Sequence, residues 1–417
     1  MEFWDIALVA GFVLAYALVS RRLETTPVTG PMVFVGFGLL IGTGGLDAIS
    51  IGMDEGAVRT LAEATLVLLL YTDAIRIDLR RLRRQVAIPA RLLGLGLPLT
   101  VIAGTIAAVL LFPDFSVWEA ALVAAILSPT DAALGQAVVA NPRVPIRIRQ
   151  AINVESGLND GIMLPVITLL LALAATDIDL ETPGYWTEFA AEQIGYGILI
   201  GIVGGYAGGR LIREFAGRGW MDGAFRQLAT LAVGVGTFAL AEAVGGNGFV
   251  AAFVAGLAFG AAAREYCAGV YDFAEDQGQL LALLTFLFFG ASLAGPVLDD
   301  LTWSIAAYAI LSLTAIRMVP VALSLIGTHL KTPTVGYIGW FGPRGLASIL
   351  FGLFILEDAE LPVADDLFAV VIWTVLASVF LHGITSVRLS ERYGAWFEAH
   401  GRKNMEEAME VEEMPTR

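Results

Sequence analysis

The chain has 417 residues, of which 57% are hydrophobic and 16% charged, with a mean hydropathy of +0.74 and a net charge of -15. A soluble chain carries about 25% charged residues and a disordered one is poor in hydrophobic residues, so both classes are excluded. A single cysteine, Cys267, leaves no disulfide scaffold, three histidines are too few for a zinc cage, and the acidic balance is wrong for nucleic acid, whose phosphates need a basic surface. What remains is an all-α polytopic membrane protein.

A helix crosses the bilayer core in about 20 mainly apolar residues. Thirteen such runs lie near 3–20, 27–45, 58–77, 86–112, 118–140, 150–174, 189–212, 226–244, 247–262, 279–295, 302–327, 334–356 and 366–387. The ninth and tenth are the shortest and leave a count of twelve open. Arginines follow the odd-numbered spans, as with Arg21 and Arg22, the group Arg80 to Arg84, and Arg388 and Arg392. The alternate loops carry acids such as Asp47, Asp114, Asp177 and Asp299, with Arg59 as the exception. This alternation puts the N-terminus outside and the C-terminus in the cytoplasm. Glu2 and Asp5 stand where a signal peptide needs positive charge, so the first span is expected to stay in the mature protein. Residues 1–388 read as one transmembrane domain. Residues 389–417 read as a short, solvated acidic tail.

Two spans are interrupted near mid-membrane. The fifth holds Ser128-Pro129-Thr130-Asp131 and the twelfth Gly342-Pro343-Arg344-Gly345. Proline removes a helical hydrogen bond, and backbone freed at that depth must line a cavity or be satisfied by protein. The spans are seven apart, an odd offset that turns one copy upside down. A fainter echo sets Leu70 to Ala74 of the third span against Phe288 to Ser292 of the tenth. Inverted repeats with matching broken helices, about 1–174 and 226–388 around a linker span 189–212, are the mark of a secondary transporter.

Ionisable groups at depth cost about 2.5–3.5 kcal/mol each on insertion scales, so each needs a reason. The sixth span reads Glu155-Ser156-Gly157-Leu158-Asn159-Asp160. Glu155 and Asn159 share one helix face, and Ser156 and Asp160 the adjacent one. Such oxygen ligands suit a hard cation. Carboxylates drawn together in low dielectric hold either a proton or a cation, and competition for one site carried across the membrane is exchange. Arg317, midway along the eleventh span, needs a buried carboxylate, with Glu155 the natural candidate; the pair either supports the site or only locks helices. Arg344 either compensates a half-helix dipole or tunes the site. Asp73 reads equally as a funnel residue or a helix-end charge. The glycines Gly201, Gly205 and Gly209 predict close helix packing. No Ser/His/Asp, HExxH or phosphate-loop pattern appears, so an enzyme is not expected.

The Thr130-Asp131 and Asn159-Asp160 pairs, with Glu155, Ser156, Arg317 and Arg344, resemble the monovalent cation:proton antiporter-1 family of bacterial sodium/proton antiporters and animal sodium/hydrogen exchangers. The resemblance implies a thirteen-span homodimer working in the plasma membrane for pH homeostasis, with a core domain that moves like an elevator and no cofactor. Asp160 would carry sodium or the proton, with Asp131, Thr130 and Ser156 completing the coordination. Glu155 and Asn159 would hold the site, and Arg317 would neutralise Glu155. Asn159 in place of an aspartate implies electroneutral exchange. Potassium/proton exchange on the same fold and sodium-coupled symport of an organic anion are the alternatives.

Overall fold

The computed structural model describes residues 3–23, 26–46, 55–77, 87–131, 134–135, 138, 141–175, 185–266, 268–358, 361–400 and 405–409. Among these every regular element is helical. In chain order they are α1 (Phe3–Leu23), α2 (Gly30–Ile41), α3 (Glu55–Arg76), α4 (Ala87–Leu111), α5 (Val117–Ile126), α6 (Ile146–Ala175) and α7 (Tyr185–Gly217). There follow α8 (Gly223–Ala243), α9 (Gly248–Ala263), α10 (Ala268–Phe288), α11 (Trp303–Ser324), α12 (Thr332–Trp340), α13 (Leu346–Asp358) and α14 (Ala364–His400). Each predicted segment holds helix, and the interrupted twelfth holds two. Nine helices among the described residues are long and apolar enough to cross a membrane.

Local chemistry explains the helix starts. α5 opens on a capping box, in which the Ser116 hydroxyl accepts from the Glu119 amide at 3.2 Å and Glu119 Oε2 accepts from the Ser116 amide at 2.6 Å. α9 opens on Asn247, whose side chain accepts from the Val250 amide, while Glu242 accepts from the Gly248 amide at 2.7 Å. The glycine stripe of α7 packs two ways, as the spacing predicts. Gly201, Gly205 and Gly209 lie against α9, and Gly204 and Gly208 meet Thr237 and Val233 of α8. One broad apolar core joins α3, α5, α6, α9, α10, α13 and α14, with Phe286, Phe289, Ile349 and Val371 fully buried at its centre.

The structure departs from the sequence reading in three places. α4 contains a wide π turn at Leu92–Gly96, α10 runs into another at Phe289–Ala294, and α11 breaks at Thr314. The second π turn brings Gly290 against the Val35 carbonyl of α2, an approach that a side chain would block. α3 stays a regular α-helix through Leu70 to Ala74, so the fainter echo is not a matched pair of breaks.

The tail is the largest departure. α14 continues to His400, so the expected boundary at 389 falls inside a helix, and Tyr393 is buried there against Tyr337, with ring centroids 4.3 Å apart. Glu406–Ala408 forms a short turn docked on the protein rather than a solvated segment. Glu407, 1% exposed, accepts from the Lys331 amide at 2.7 Å and the Thr334 hydroxyl at 2.8 Å, which caps the start of α12. Arg147 near the start of α6 holds Glu406 in an ion pair of 2.5 Å. A carboxylate at a helix N-terminus meets the positive end of the dipole, and this draws the tail in.

Candidate functional site

The fifth span stops being helical because Pro129 cannot donate to the ladder. After α5 the Leu127 amide donates to Val123 and the Ser128 amide, the last, tightens onto the Ala125 carbonyl at 3.3 Å, while the Ser128 hydroxyl turns back onto the Ala124 carbonyl at 2.5 Å. The carbonyls of Ser128 and Pro129 are left for another partner. The twelfth span stops at Trp340 in the same way, with Pro343 three residues beyond. The two breaks meet: the Asp131 amide donates to the Pro343 carbonyl at 2.7 Å. Two glycines allow the approach. A side chain at Gly342 would strike the Arg317 guanidinium, and one at Gly345 would occupy the space of the Asp131 carboxylate.

Charges of opposite sign then satisfy the helix ends. Arg344, fully buried, donates from Nη1 to the Ser128 carbonyl at 2.7 Å and the Pro129 carbonyl at 3.2 Å, and from Nη2 to Ser312 at 3.4 Å. It thereby covers the negative C-terminal end of α5. Asp131 Oδ2 accepts from the Leu346 amide at 2.9 Å, at the positive N-terminal end of α13. Of the two roles open to Arg344, the geometry is that of dipole compensation.

α6 passes alongside with its polar face toward the fifth-span break. The Thr130 hydroxyl lies 2.9 Å from the Ser156 hydroxyl and accepts from the Asn159 side-chain Nδ2 at 2.7 Å. Thr130, Ser156 and Asn159 are all buried, while Asp160 keeps partial exposure. Glu155, on the face it shares with Asn159, forms an ion pair of 2.6 Å with Arg317, and both partners are buried. Asp73 stands against the same helix: its Cβ is 3.9 Å from where a side chain at Gly157 would begin. Gly161, one residue past Asp160, packs on the Phe253 ring of α9. Among the described residues Asn159 Oδ1 is one of several buried side-chain atoms without a hydrogen-bond partner.

The structure thus brings Thr130, Ser156 and Asn159 together. It places Glu155 with Arg317, and Asp131 with the α13 N-terminus. Sequence reasoning missed Ser378 and His382 of α14. The Arg344 amide donates to the Ser378 hydroxyl at 2.7 Å, and His382 Nε2 lies 2.9 Å from the Trp340 carbonyl. The signal that would have found them is a polar stripe four residues apart, Thr374, Ser378, His382, Ser386 and Ser390, inside an apolar span.

A family model described as sodium/hydrogen exchanger, transmembrane, matches residues 8–392. The chain belongs to this family. The sodium/hydrogen exchanger family consists of transporters rather than enzymes, and the chain is a multi-span membrane protein. A K(+)/H(+) antiporter NhaP of Alkalimonas amylolytica is 28% identical over 344 residues, covering 81% of this chain and 57% of that protein. A Na(+)/H(+) antiporter NhaG of Bacillus atrophaeus is 26% identical over 331 residues, covering 75% of this chain and 61% of that one. The chain therefore spans less than two thirds of the length of these curated relatives. The fold is that of the sodium proton antiporter MjNhaP1 of Methanocaldococcus jannaschii, with a TM-score of 0.73 at 21% identity over 92% of this chain and all of that one.

Proposed function

We propose that the chain exchanges a monovalent cation, sodium and also lithium, for protons across the plasma membrane of a bacterial or archaeal cell by alternating access. Asp160 is the carrier that binds either the cation or the proton. Thr130, Ser156 and Asp131 complete the oxygen set around the cation, and Asn159 and the Glu155–Arg317 pair hold that set in place. Asp73 lines the path to it. The observation that carries this reading is the meeting of the Thr130, Ser156 and Asn159 side chains at the crossing of two broken spans, beside the partly exposed Asp160. Neutral oxygens next to carboxylates suit a hard monovalent ion.

The reading includes thirteen crossings, with the N-terminus outside and the C-terminus in the cytoplasm. It includes two inverted repeats, about 1–174 and 226–388, joined by α7, and a homodimer in which the site moves against a dimerisation domain. The crossing of breaks seven spans apart supports the repeats, because inverted repeats place discontinuous helices together at the midplane. Potassium is the second reading for the cation, favoured by the name of the Alkalimonas relative. Oxygen ligands serve either ion.

The experiment is dequenching of a pH-sensitive dye in proteoliposomes containing the purified chain, with sodium, lithium, potassium and calcium added separately. Sodium- and lithium-driven proton movement supports the first reading and potassium-driven movement alone the second. No response to any monovalent ion overturns both.

A further inference from the structure

The polar stripe of α14 divides by how each member is satisfied. Thr374 and Ser386 turn back onto their own helix, bonding the Val370 carbonyl at 2.7 Å and the Gly383 carbonyl at 2.9 Å. Ser390 meets the Tyr337 hydroxyl at 2.9 Å. Ser378 and His382 instead face the twelfth-span break. Both are buried, at 0% and 1% exposure.

Nε2 of His382 lies 2.9 Å from the Trp340 carbonyl, last of α12, and Nδ1 lies 3.1 Å from the Ser378 carbonyl, so each ring nitrogen faces an acceptor. Nδ1 is also 3.2 Å from the Ser378 hydroxyl. That hydroxyl accepts the Arg344 amide at 2.7 Å. The chain runs Arg344 amide to Ser378 to His382 to Trp340, and it bridges the break from one side to the other. The Arg344 side chain continues from there to the Ser128 carbonyl at 2.7 Å, and the Pro343 carbonyl accepts the Asp131 amide at 2.7 Å. Whatever sets the position of residues 340–344 therefore sets the fifth-span backbone that presents Thr130 and Asp131.

We propose that His382, acting through Ser378, is a positioning residue for the ion site: its ring, held between Ser378 and the Trp340 carbonyl, clamps the twelfth-span break and so holds Thr130 and Asp131 at their places. The reading rests on the exchange function proposed above for the site itself. A satisfied core histidine would contribute to stability alone. A clamp on the site predicts a loss of cation affinity that is shared, not summed, along the chain of bonds.

The test has two arms on the full chain. In proteoliposomes, His382→Ala and Ser378→Ala should each raise the apparent cation KM about tenfold, the factor carried by one net hydrogen bond, with kcat changed less than about twofold. The double variant should match the singles, because either one already breaks the same chain. His382→Gln, which keeps a donor for Trp340, should recover part of the loss. In detergent, amide hydrogen exchange over residues 341–346 should speed up about tenfold in His382→Ala, by the same reasoning. Exchange over α7 and α8 should not change. Additive KM shifts, or unchanged hydrogen exchange over 341–346, would overturn the proposal. A wild-type chain that moves no protons sinks the exchange function, while hydrogen exchange still decides whether His382 holds the break.

Discussion

Asp131 and Arg344 each cap the helix end that the other's span leaves open. Asp131, from the fifth span, accepts the Leu346 amide at the start of α13, and Arg344, from the twelfth, donates to Ser128 and Pro129 at the end of α5. Both helix ends lie where water is scarce, so neither can be left to solvent. The reciprocity makes the crossing one unit: a shift of either break strips a partner from the other.

Arg344→Ala should therefore unfold the crossing rather than merely retune it. It leaves two carbonyls buried without donors, and hydrogen bonds to charged groups contribute about 1.5–3 kcal/mol each. The expected loss is about 3–5 kcal/mol, read as a lowered unfolding midpoint of the purified protein. Arg344→Lys should recover only part, because a single ammonium nitrogen cannot replace both Nη1 on the fifth-span carbonyls and Nη2 on the Ser312 carbonyl. A variant with wild-type stability would remove Arg344 from this role.

Asp160→Asn should abolish exchange and leave the fold intact. Asp160 keeps partial exposure on the α6 face that carries Ser156, and asparagine matches its shape, yet the amide can bind neither a proton nor a cation as a carboxylate does. Melting of the variant should match the wild type while sodium-driven proton flux disappears. Normal flux from the variant would move the carrier elsewhere.

The helices were legible because about 20 apolar residues between charged loops leave little choice. The two interruptions were legible as well, since Pro129 and Pro343 each remove a ladder bond. The Glu155–Arg317 pair followed from the cost of an unpaired buried charge. What a sequence does not carry is the direction in which a buried side chain reaches. Arg344 reads equally as a dipole-compensating charge or one that tunes the site, and only the structure shows its guanidinium on carbonyls of the fifth span. The π turns each precede a proline, Pro98 and Pro296, and hold glycines, Gly94 and Gly96 in one and Gly290 in the other, but glycines are too frequent across these spans for that pattern to single them out. Glu407 sits in an acidic run that reads as solvated, and only the nearby α12 N-terminus gives it a reason to be buried.

Arg317→Ala leaves Glu155 buried and unpaired, and breaking a buried pair costs about 3–5 kcal/mol. The pair is 2.6 Å apart with both side chains almost fully enclosed. Glu155→Leu in the same chain removes the orphaned charge, so the double variant should regain much of the stability while remaining impaired in transport. Equal instability of the single and the double would show that the two residues do not depend on each other.

Glu407→Ala should loosen the start of α12 and release the tail. The lost contacts are the caps to the Lys331 amide and the Thr334 hydroxyl. An N-terminal cap contributes about 1 kcal/mol. The expected result is a small drop in melting temperature together with faster proteolysis after His400. An unchanged cleavage pattern would mean the docked turn is not held by this side chain.

The last prediction is that exchange is electroneutral. Asn159 cannot carry a proton, which leaves Asp160 as the group that trades one cation for one proton. Asp131, whose Oδ2 accepts from the Leu346 amide, is assigned no part in the proton exchange. If so, a cycle moves one positive charge each way and membrane voltage does no work on it, although each uncompensated charge would gain about 2.3 kcal/mol per 100 mV. In proteoliposomes clamped with valinomycin, the equilibrium sodium gradient should be the same at zero and at strongly negative potential. If Asp131 also titrates, two protons accompany each cation, and the gradient then shifts with voltage. That shift would overturn one-for-one exchange and would make Asp131 a second carrier.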